Sequence, residues 1–97
     1  MHTLILRNKL HGQSARDVAA GASPASLKYS IEVLGESEVK DQVQQSIREL
    51  KVHPAGERRT LLDMLAIIDQ HRLEICHAEH EQTEQGVETW TFVLQKR

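Results

Sequence analysis

Apolar residues along this chain recur with two periods, and the switches between them mark its elements. Leu27-Lys28-Tyr29-Ser30-Ile31-Glu32-Val33 alternates strictly, with apolar side chains at odd positions, and predicts a half-buried strand ended by Gly35. Thr3–Leu10 predicts an earlier strand with Leu4, Leu6 and Leu10 inward and Arg7 and Lys9 outward. After Gly35 the period lengthens. Ser37 is placed to cap a helix whose Val39, Val43, Ile47 and Leu50 form one narrow stripe. Its other face, with Lys40, Asp41, Gln44, Gln45, Arg48 and Glu49, has the composition of a solvated surface.

A second helix begins near Pro54 to Glu57 and runs to about His71. Leu61, Leu62, Met64, Leu65 and Ile68 gather into a broad apolar sector, with Ile67 outside it. Such a sector is read first as core. Its width exceeds what a helix lying on a sheet requires, which makes part of it the expected contact of a homodimer with two-fold symmetry.

Beyond His71 the alternation returns, with Leu73, Ile75 and His77 interleaved with Glu74, Cys76 and Ala78. Val87-Glu88-Thr89-Trp90-Thr91-Phe92-Val93-Leu94 supplies a partner strand rich in β-branched and aromatic residues. Between them, Glu84-Gln85-Gly86 suits a three-residue hairpin loop that ends on a left-handed glycine. Thr83 then opposes Val87, and counting outward sets His80 against Trp90, Ala78 against Phe92 and Cys76 against Leu94, with His77 and Glu79 on the other face. Cys76 opposite Leu94 is expected to be a small, buried and inert hydrophobe.

This register bears on the one metal-like cluster, Cys76, His77 and His80. On a strand Cys76 and His80 lie about 13 Å apart, far too distant for one zinc ion. A helix continued through the segment would instead bring them together at i, i+4. The strand is preferred, so no metal or cofactor is assigned.

The segment from His11 to Ser26 is dominated by Gly, Ala and Ser, and is read as a flexible loop at about 11–26 that is disordered or orders on contact, although Ala15–Ala20 can form one helical turn. The resulting expectation is a single α+β domain over residues 1–97. It is a two-layer sandwich in which a four-stranded antiparallel sheet carries two helices on one face, in the order β-β-α-α-β-β. Its core is built from Leu4, Leu6, Tyr29, Ile31, Val33, Ala78, Trp90, Phe92 and Leu94 against Val43, Ile47, Leu61, Leu65 and Ile68.

Composition narrows the function classes. At 97 residues the chain can build one modest core. A formal charge of −2 and only three aromatic residues disfavour nucleic acid as a partner. One cysteine permits no intrachain disulfide, no secretory signal is evident, and no apolar run approaches the ~18 residues of a membrane span, so a cytoplasmic location and no membrane contact are expected. The six histidines, His2, His11, His53, His71, His77 and His80, are scattered, and no Ser-His-Asp, Cys-His or paired-carboxylate motif can be drawn from their order.

The best candidate ligand site is the connector from Lys51 to Thr60. His53, Arg58 and Arg59 there accompany a helix N-terminus whose free amides would attract an anion. Three functions are therefore expected in order. The first is a small cytosolic interaction or regulatory module without catalytic chemistry, homodimeric through part of the second helix, with an unidentified protein partner. The second is an anion or phosphorylated-ligand binder, or enzyme, at His53, Arg58 and Arg59. The third is metal binding at residues 76–80.

Overall fold

A computed structural model describes residues 3–97, so His2 lies outside the described residues. In chain order the elements are β1 (Thr3–Leu10), α1 (Gly12–Ala19), a 3-10 turn (Pro24–Ser26), β2 (Tyr29–Gly35), α2 (Lys40–Arg48), α3 (Glu57–Gln70), β3 (Leu73–Gln82) and β4 (Glu88–Lys96). The four strands form one antiparallel sheet in the order β2-β1-β4-β3.

The expected order β-β-α-α-β-β with two helices is therefore incorrect, because a third helix and the 3-10 turn lie between β1 and β2. The stretch read as a loop lacks an apolar stripe, and it is local bonding that organises it. Backbone bonds run from Ala15 N to His11 O and from Ala20 N to Arg16 O. The buried Ser14 accepts from Lys28 N at 2.7 Å, while His11 N donates to Lys28 O. Ala15 and Ala19 add intrinsic helix propensity to a helix of eight residues, and the bonds to Lys28 hold it in place. Ser23 accepts from Ala25 N at the start of the 3-10 turn, with Pro24 in its first turn.

The core joins Leu4, Leu6, Ile31, Val33, Phe92 and Leu94 of the sheet to Val39, Val43 and Ile47 around α2 and to Met64, Ile67 and Ile68 of α3. Helix α3 is turned relative to the expected apolar sector. Its buried line is Thr60, Met64, Ile67 and Ile68, while Leu62 and Leu65 stand exposed at 57% and 39%. Thr60 can face inward because its hydroxyl donates to Gly56 O at 2.7 Å, leaving no unsatisfied polar group. Ala78, expected in the core, is exposed, as is every β3 residue after Leu73. Strand β3 ends the sheet, and only its first residue is covered.

The hairpin closes as expected, with Gly86 at φ +83°, Thr83 N donating to Val87 O, and His80 and Ala78 opposite Trp90 and Phe92. The count then fails. A bulge between Ile75 and His77 sets Ile75, not Cys76, against Leu94, and Cys76 is exposed rather than buried. Adding one residue to one strand moves everything beyond it by one position, and no turn chemistry reports it.

Candidate functional site

Two places carry more polar organisation than the fold alone requires: the N-terminal end of α3 and the outer edge of β3. Strand β1 sets up the first. Its inward positions read Leu4, Leu6, Asn8 and Leu10, and Asn8 is fully buried. Regular β1–β4 pairing ends at Arg7–Thr91. Beyond it the Asn8 side chain replaces the ladder, donating to Glu88 O at 3.2 Å and accepting from Trp90 N at 2.6 Å. The Tyr29 hydroxyl accepts from Glu88 N at 3.0 Å, so β4 is held at this point by side chains.

Next to this join, a depression of about 430 Å³ is lined by residues that include Tyr29, Glu57, Arg58, Arg59, Gln82 and Glu88. Trp90 Nε1 donates to Glu57 at 2.9 Å, and His80 stacks on Trp90 with ring centroids 4.1 Å apart. A hydrogen bond with Glu57 holds the Glu88 carboxyl above the ordinary carboxylate range; burial and the Glu57 charge add to this, and His80 opposes it. Burial likewise pushes the Tyr29 phenol up. The cluster joins α3 to β4 and β2.

The three residues assigned to an anion do not converge. His53 Nε2 accepts from Ile31 N at 3.1 Å, which commits that nitrogen to the β2 backbone. Arg59 pairs with Asp63 at 3.3 Å, one helical turn away. Arg58 and Arg59 line the depression and His53 does not. Glu57 and Glu88 stand beside the same helix end, and their carboxylates offset the attraction of its free amides for an anion. The polar Asn8 among inward leucines was the available sign of this cluster. The pairing of Glu57 with Glu88, 31 positions along the chain, left no local trace.

The second place is the sheet margin. Strand β2, at one end of the sheet, is partly covered. Ala55 exchanges two backbone bonds with Tyr29, at 2.7 and 3.1 Å, and His53 accepts from Ile31. Strand β3, at the other end, pairs among the described residues only with β4. Antiparallel residues point their backbone groups alternately toward and away from a partner. Thr83 bonds to Val87, so Glu81 and Glu79 also turn toward β4, while Gln82, His80 and Ala78 turn their N–H and C=O outward. Ile75, on this strand, is 41% exposed.

Cys76, His77 and His80 lie along this strand, and His77 contacts Glu79 at 3.0 Å. Among the described residues no three His, Cys, Asp or Glu side chains come together as metal ligands, and no helix is long and apolar enough to cross a membrane. Compared with protein-family models, with characterised proteins and with solved structures, the chain matches none of them.

Proposed function

We propose that this chain is a small cytosolic interaction module that accepts a partner's strand along the outer edge of β3, without bond-making chemistry of its own. The observation that carries this reading is the contrast between the two margins of one sheet. The connector around His53–Ala55 occupies part of the β2 edge, whereas the Leu73–Gln82 strand has β4 on one side only. An open edge presents a row of donors and acceptors that a second extended chain satisfies, with main-chain bonds supplying affinity and side chains supplying specificity.

Exposed Ile75 on the strand, together with Leu62 and Leu65 on α3, offers apolar surface of the kind that supports such contacts. The polar cluster at the end of α3 has a structural account, since Asn8, Tyr29 and Glu57 are engaged in holding β4. The cytosolic assignment is supported by the single cysteine.

A backbone test follows. Ala78→Pro removes an outward N–H and leaves the β3–β4 ladder intact, so stability is expected to stay within about 1 kcal/mol of the parent. Tagged parent and variant chains would be isolated from the same cells, with a differently tagged second copy co-expressed. Whatever co-purifies with the parent, protein partner or second copy, should be missing from the proline variant. An unchanged set of co-purifying chains would sink the edge-binding reading.

A further inference from the structure

The partner that the β3 edge fits best is a second copy of this chain. Resting on the edge-binding reading above, we propose an antiparallel, two-fold pairing of β3 with β3 centred on Ala78. Register selects this centre. Outward-facing residues must meet outward-facing residues, which restricts the dyad to a whole residue position. Centring on Glu79 or Glu81 sets two like carboxylates against each other, centring on His80 opposes Glu79 to Glu81 twice, and centring on His77 pairs imidazole with imidazole. Centres on Gln82 and Cys76 also avoid like pairs, but the first lies at the end of the strand and the second in the bulge, so along the regular stretch from His77 to Glu81 only Ala78 avoids every like pair.

In that register His77 of each copy faces Glu79 of the other, and Ala78 faces itself. His77 and Glu79 lie on the same face of β3, opposite Val93 and Thr91, and already meet within one chain at 3.0 Å. The dimer therefore sets each imidazole between two carboxylates, and two such cross-strand pairs form because the contact is symmetric. The small Ala78 side chain at the centre leaves the backbones free to approach. A dyad perpendicular to the sheet joins two four-stranded sheets into one of eight strands, with both α3 helices on the same face. The homodimer expected from α3 is thus placed first on β3, with α3 beside it.

Sedimentation equilibrium of the full chain tests this with four variants, each checked for folding by circular dichroism. The parent should dimerise. His77→Glu alone and Glu79→Lys alone should each weaken the dimer roughly tenfold, because every single change acts twice across the dyad. The exchanged variant, His77→Glu with Glu79→Lys, should recover the parent constant to within about threefold. Ala78→Pro should leave a folded monomer. A folded parent that stays monomeric at about 1 mM, a concentration at which even weak association of about 4 kcal/mol is visible, overturns the second-copy inference. It leaves edge binding to the isolation experiment, which scores other proteins. A dimer indifferent to Ala78→Pro, or one that the exchanged charges fail to restore, overturns the register as well.

Discussion

Asn8 occupies the position where the alternation of β1 leads one to expect a third buried apolar side chain, and it replaces two ladder bonds that the diverging β4 would otherwise lack. Truncation to alanine strands Glu88 O and Trp90 N, and the unfolding free energy should fall by about 2–3 kcal/mol in urea titration, since unsatisfied buried groups cost more than a bond contributes. Two carboxyls should respond to pH with opposite sign. The folded protein holds Glu88 above its ordinary range through its bond to Glu57, so its contribution is present below the unfolded value and lost as pH rises through the folded one. Glu88→Gln should therefore melt slightly higher than the parent at pH 7, by on the order of 0.5 kcal/mol, with the gap closing at pH 4. Burial pushes Glu32 upward, but hydrogen bonds from Arg7 and Lys9 outweigh it and hold the carboxyl low. Its contribution is present above the unfolded value and fades as acid titrates the folded group. Glu32→Gln should thus be less stable than the parent near neutrality and no less stable at pH 2, read from the same melting curves.

Strands and helices with an amphipathic stripe were legible at the element scale because burial enforces their period, as in Tyr29-Ile31-Val33 and Val39-Val43-Ile47. Helix α1 was not, since backbone bonds and the single buried Ser14 hold it in place and no periodic apolar face announces it. The hairpin shows both cases. Gly86 fixed the turn and the first pairs, whereas the bulge at Ile75/His77 leaves only a faint trace, in that Leu73 and Ile75 share a phase that Ala78 and His80 do not. The Gly86 turn also packs on the 3-10 turn, where an added Cβ would fall 2.5 Å from Pro24 Cγ in a backbone at φ +83°. Gly86→Ala should cost more than about 1 kcal/mol by urea titration and speed amide exchange at Thr83 and Gly86, whose bonds close the loop.

For the whole molecule, the sheet order β2-β1-β4-β3 decides which chemistry is exposed. Sequence periodicity identified four strands but not their neighbours, because alternation reports which face is buried and says nothing about which edge is free. His53 illustrates the consequence. Read by composition it is part of a basic connector, and in the fold its ring nitrogen caps a backbone N–H of an end strand. The mixed charge of β3, with Glu74, Glu79 and Glu81 beside His77 and His80, is also the composition by which end strands resist indiscriminate pairing, so a specific partner must match it residue by residue. That requirement makes register the critical quantity.

The most direct measurement is residue-resolved amide exchange across β3 at increasing protein concentration. Pairing about Ala78 predicts that the outward amides of Ala78 and His80 become protected together as concentration rises, while Glu79 and Glu81, already bonded to β4, change little. Outward amides that exchange at the same fast rate from dilute to concentrated solution would contradict the paired edge.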